Sequence, residues 1–156
     1  MKEKTMSMLG VVFTVLLVIL MITPLLMHFM PGINFRGMPQ GLTQGTLNAS
    51  KPNWVSSLVP ESDSHYVAPL TVADLSAIKD CVLRQSPKTT LVKLDESSLI
   101  AYRQSPVFNF TDWLIIKNDG QVTSSATMGY YDFGKNREWV ESLRAHCTVQ
   151  PSSESR

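Results

Sequence analysis

Residues 111–127 read Thr-Asp-Trp-Leu-Ile-Ile-Lys-Asn-Asp-Gly-Gln-Val-Thr-Ser-Ser-Ala-Thr. Two runs rich in β-branched and aromatic residues flank Asn118-Asp119-Gly120, and these three residues tolerate the positive φ that a two-residue primed turn requires. The stretch therefore predicts a β-hairpin with strands at 111–117 and 121–127. Upstream, residues 90–94 and 98–103 have the same make-up and are separated by polar breaks, which extends the hairpin to a four-stranded antiparallel meander. A shorter strand at 65–68 fits the same pattern.

Helices flank the meander. Leu75, Ile78 and Val82 recur at helical spacing, Thr71 with Asp74 resembles a capping box, and Pro87 is placed to stop the run, so a helix is expected over 71–85. A closing helix is expected over 135–147, with Trp139, Val140, Leu143 and Cys147 on one face and Arg137, Glu138, Glu141 and Arg144 mostly solvated. The order of helix, meander and helix predicts an α+β domain with both helices on one face of the sheet.

Further out, residues 8–30 carry no Asp, Glu, Lys or Arg and are mostly Leu, Val, Ile, Met and Phe. That exceeds the roughly 20 apolar residues needed to cross a bilayer. A cleaved signal peptide would have an apolar core of about 7–15 residues and a small-x-small site, and neither is present. An uncleaved transmembrane helix is expected. Lys2 and Lys4 precede it, partly offset by Glu3, and the next cation is Arg36. The positive-inside rule then places residues 1–7 in the cytoplasm and the domain outside it, a single-pass protein of the cytoplasmic (inner) membrane.

Residues 31–50, rich in Gly, Gln, Thr, Asn, Met and Pro with one charge, read as a linker. The globular domain is expected over 51–149 and a disordered polar tail over 150–156. With 14 Lys and Arg against 13 Asp and Glu, well mixed, there is no basic stripe for nucleic acid. The expected partners are the lipid bilayer, through the N-terminal helix, and an envelope protein or a hydrophobic ligand.

Three stretches carry a resemblance: residues 52–57 (Pro-Asn-Trp-Val-Ser-Ser), 65–70 (His-Tyr-Val-Ala-Pro-Leu) and 129–137 (Gly-Tyr-Tyr-Asp-Phe-Gly-Lys-Asn-Arg), the last followed by Val140-Glu141-Ser142-Leu143-Arg144. Together they resemble the bacterial and plastid domain of unknown function numbered 1499. The resemblance covers nearly the whole soluble part and implies no established activity.

Residues 129–137 fit two accounts. One is a strand-to-helix turn, with Gly129 and Gly134 in backbone regions closed to other residues, Asp132 bonding nearby amides and Asn136 at the helix start. The other is an anion pocket made by Asp132, Gly134, Asn136 and Arg137 around helix N-terminal amides. Ser57, Asp63 and His65 hold the atom types of a catalytic triad, but no nucleophile elbow surrounds the serine. No His, Cys, Asp and Glu spacing resembles a metal site, and no cofactor motif is present. The expectation is a non-enzymatic binding or interaction domain.

Two further features bear on that expectation. Cys81 and Cys147 are the only cysteines, one in each predicted helix, and a disulfide between them or a pair of buried thiols are both open. Ten aromatic residues in the domain are mostly expected in the core. If a cleft for a lipid or hydrophobic small molecule opens beside them, residues 105–110 are its candidate rim.

Overall fold

The computed structural model describes residues 7–85 and 88–147. Lys2, Lys4, Pro87 and the tail at 150–156 lie outside the described residues. The first helix, α1 (Met8–Phe29), is 22 residues long and buries no side chain against the rest of the protein. At about 1.5 Å per residue its length is near 33 Å, enough for a hydrocarbon core of about 30 Å. Ser7 caps it by accepting from the Gly10 amide, and the hydroxyls of Thr14 and Thr23 fold back to donate to carbonyls four residues earlier. These backbone bonds satisfy both threonine hydroxyls where the surroundings are apolar.

The domain is built on a five-stranded sheet with the order β1-β5-β4-β3-β2 and antiparallel pairing throughout. The expected meander supplies four of them: β2 (Thr89–Leu94), β3 (Ser98–Gln104), β4 (Thr111–Lys117) and β5 (Val122–Ala126). The fifth, β1 (Trp54–Ser56), has no strand pattern in the sequence. Three residues are too few to display a period of two, and they become a strand only because β5 offers an open edge. The run at 65–68 forms no strand and contributes a single bridge from Tyr66 to Ser56.

The hairpin between β4 and β5 also differs in detail from the expected two-residue turn. Its loop has three residues: the Gly120 amide donates to the Lys117 carbonyl and the Lys117 amide to the Gln121 carbonyl. Among Asn118, Asp119 and Gly120 only the glycine has positive φ, at 84°. This is a turn followed by a left-handed glycine bulge.

Two helices follow the expected spacing. α2 (Leu75–Gln85) starts later than the sequence implied, because Asp74 rather than Thr71 caps it, accepting from the Ser76 amide at 3.1 Å. α3 runs Lys135–Cys147. Both pack on the sheet face formed by Leu99, Ala101, Leu114, Ile116 and Val122, and Val82, Val140 and Leu143 fill the space between the layers with no exposure. A disulfide joins Cys81 to Cys147 across the two helices, with Cα atoms 5.6 Å apart.

The opposite sheet face, with Ile100, Trp113 and Ile115, is covered by the segment that read as a linker. Gly41 and Gly45, at φ 82° and 66°, bracket a short 3₁₀ turn that lays Leu42 on this face, fully buried. Trp113 Nε1 donates to the Arg36 carbonyl and Trp54 Nε1 to the Asn48 carbonyl. A composition without periodicity hid this packing, since Leu42 and Leu47 supply the apolar contact and the indole donors, in β1 and β4, supply the rest.

Candidate functional site

The turn between β5 and α3 is closed by its own residues. Asp132 Oδ1 accepts from the Gly134 amide at 3.0 Å, and Oδ2 accepts from the amide and the side-chain Nδ2 of Asn136 at 2.9 and 2.7 Å. Asn136 is fully buried; its Nδ2 also donates to the Asn53 carbonyl and its Oδ1 accepts from Ser124 Oγ at 2.6 Å. One asparagine thus ties the start of β1, β5 and α3 together. Arg137 reaches the other way and donates to the carbonyls of Tyr66 and Ser64, each at 2.7 Å. The four residues named as a candidate anion pocket are therefore neighbours, and the contacts they make are those of a helix cap and a loop clamp.

Asp63 and His65 are also brought together, with Oδ1 to Nδ1 at 2.8 Å. The other ring nitrogen of His65 faces the Lys51 carbonyl at 3.1 Å, and the ring stacks on Trp54 at 4.0 Å. Ser57 is engaged elsewhere, donating to Gln121 Oε1 and accepting from the Val122 amide. The imidazole and the Ser57 hydroxyl are thus held by separate partners. The amide and ring of His65 hold the Asp63 carboxyl below the ordinary aspartate range.

A different feature stands out at the end of the sheet where β3, β4 and β5 meet their loops. Residues 105–110 connect β3 to β4, residues 127–134 connect β5 to α3, and between them lies a groove of about 540 Å³ lined by Phe108, Phe110, Met128, Tyr131 and Phe133, with Asp112, Asp132 and Lys135 among its polar residues. Phe108 and Phe110 stack at 5.5 Å and Tyr131 meets Phe133 edge to face at 5.2 Å. All four rings are exposed, Phe133 to 81%. Residues 105–110 are the expected rim of a cleft; of the ten aromatic residues, mostly expected in the core, Tyr131 and Phe133 face outward. Their sequence signal was the bracketing by Gly129 and Gly134, which breaks any helical or strand period.

Beside the groove, Asp112 pairs with Arg103 at 3.3 Å, and the guanidinium lies 4.3 Å over the Trp139 ring while donating to the Lys135 carbonyl. Burial dominates both partners. It pushes the Asp112 carboxyl up and the Arg103 guanidinium down, each opposed by the attraction of the other.

One of these loops, 105–110, touches the end of α1. Asn109, buried and at φ 55°, donates from Nδ2 to the carbonyls of Met27 and His28, and His28 Nδ1 reaches the Pro106 carbonyl at 3.1 Å. Asn34 Nδ2 donates to the Phe108 carbonyl at 2.5 Å. One wall of the groove, residues 105–110, is thus fastened to the end of the one helix, among the described residues, that is long and apolar enough to cross a membrane.

No curated protein and no solved structure matches the chain. The model of one family, described as Protein of unknown function (DUF1499), matches residues 46–146, which takes in every strand, α2 and α3 up to its last residue. The chain belongs to this family.

Proposed function

We propose that the protein is a single-pass protein of the cytoplasmic membrane whose extracytoplasmic domain is a non-enzymatic binding module, and that its ligand is an apolar molecule held in the groove between residues 105–110 and 128–133. The observation that carries this reading is the groove itself. Its walls are aromatic rings and a methionine, with few polar groups to fix orientation, which is the make-up of sites for hydrophobic ligands. Support for the extracytoplasmic side comes from the Cys81 and Cys147 disulfide, a bond that persists in oxidising compartments, and from the charge bias across α1. An enzymatic reading has less behind it, since Ser57 and His65 are engaged with separate partners.

The test uses the full chain in phosphatidylcholine nanodiscs and a palmitic acid carrying a photoreactive diazirine. Adducts mapped by mass spectrometry are expected within residues 105–110 and 128–133. Met128→Trp, which fills the groove from a half-buried position, is expected to reduce them at least about tenfold. Labelling confined to α1, or labelling of the loops unchanged by Met128→Trp, would overturn the reading.

A further inference from the structure

We infer that the two aromatic loops, 105–110 and 128–133, seat in the interfacial layer of the membrane that α1 crosses, so that the domain lies on the bilayer surface and the groove opens toward lipid. The inference rests on α1 spanning the bilayer and names the source of the apolar ligand as the adjoining leaflet.

Four observations converge on it. First, the loops leave the same end of the sheet, because β3 ends at Gln104, β4 begins at Thr111 and Asp112 pairs with Ala126 at the end of β5. Second, that end is fastened to the last turn of α1 through Asn109 and His28, and to the segment just after it through Asn34. A helix whose 22 residues match the hydrocarbon thickness puts the Met27 and His28 carbonyls at its boundary, and a loop bonded to them stands at headgroup depth. Third, Phe133 has φ 57° and is almost wholly exposed. A bulky side chain in the left-handed region is strained. The domain's own packing buries little of it, whereas aromatic rings at a bilayer interface are favoured.

Fourth, the loops carry little charge that lipid headgroups would have to desolvate. Residues 105–110 have none, and the one carboxylate in 128–133, Asp132, is bonded to the Gly134 and Asn136 amides. Two cations adjoin the loops: Lys88 donates to the Pro106 carbonyl and to Asn109 Oδ1, and Lys135, at the start of α3, pairs with Glu138. Exposed rings with few charges among them suit the boundary between acyl chains and headgroups.

The full chain, reconstituted in vesicles of phosphatidylcholine brominated near the head end of the acyl chains, reports seating through tryptophan quenching. Phe133→Trp is compared with Glu96→Trp in the loop between β2 and β3, at the opposite end of a seven-residue strand and so about 20 Å away. After subtraction of the unsubstituted chain's emission, the signal from the Phe133→Trp reporter is expected to fall by at least half in brominated vesicles, and that from the Glu96→Trp reporter to stay unchanged. Phe110→Trp serves as a second reporter should substitution at position 133 disturb the turn. Equal quenching at both ends, or none at 133 and 110, would overturn seating. Quenching at 133 together with diazirine labelling that Met128→Trp leaves unchanged would support seating while removing the groove as a ligand site, so the two readings fail separately.

Discussion

Gly120 shows how a single residue joins two parts of the domain. Its φ of 84° closes the turn between β4 and β5, and its carbonyl accepts from the Leu70 amide at 2.9 Å, which holds the chain entering α2 against the sheet. A Cβ at this position would stand 2.1 Å from the Leu70 carbonyl oxygen. Gly120→Val therefore combines a backbone conformation that β-branched residues resist with a collision against main chain that has no flexible end to yield. Chemical denaturation of the full chain is expected to show a loss of about 3 kcal/mol. A variant as stable as the parent would contradict this role of the turn. The turn residues were legible as a hairpin signal, but the close approach of Leu70 was not, because it comes from a distant segment that carries no pairing code.

At the scale of elements, the sheet end beside the groove holds a charge pair whose value depends on both members being present. Arg103 on β3 and Asp112 on β4 face each other across the ladder, and burial works against the charged form of each. For such a pair, removing one partner costs much more than replacing both, because a lone buried charge keeps its full desolvation penalty. Arg103→Met is expected to destabilise the domain by about 3 kcal/mol, and adding Asp112→Leu should restore at least half of that loss. If the double variant is no better than the single one, the bond from Arg103 to the Lys135 carbonyl and the contact with Trp139, rather than the charge on Asp112, dominate the site. The helices were readable from their apolar spacing because α2 and α3 each bury one stripe. β1 carries no such signal because its burial is continuous and its length is three residues, so its strand state is conferred by the neighbour it meets.

For the molecule as a whole, the disulfide closes a stretch of 66 residues between the first domain helix and the last. Loop-closure arguments give about 4 kcal/mol for a link of that length. Replacing both cysteines by serine is expected to lower stability by a similar amount, read by denaturant unfolding without reductant. Protein drawn from its native membrane, denatured and left unreduced, should show no titratable thiol, and two free thiols would remove both the bridge and its support for an extracytoplasmic domain. The sequence alone determined the α+β class, the membrane-length helix, the strand-rich middle and the pair of helices bearing the cysteines. These follow from composition and periodicity, which each stretch of chain carries within itself. Tertiary folding laid the apparent linker over the second sheet face through Leu42. It alone joined Asn136 to the chain entering β1 and Arg137 to the 64–66 loop, and set Tyr131 and Phe133 facing outward in the groove beside the end of α1. Those outcomes depend on which distant backbone groups and side chains meet, and spacing along the chain does not encode that meeting.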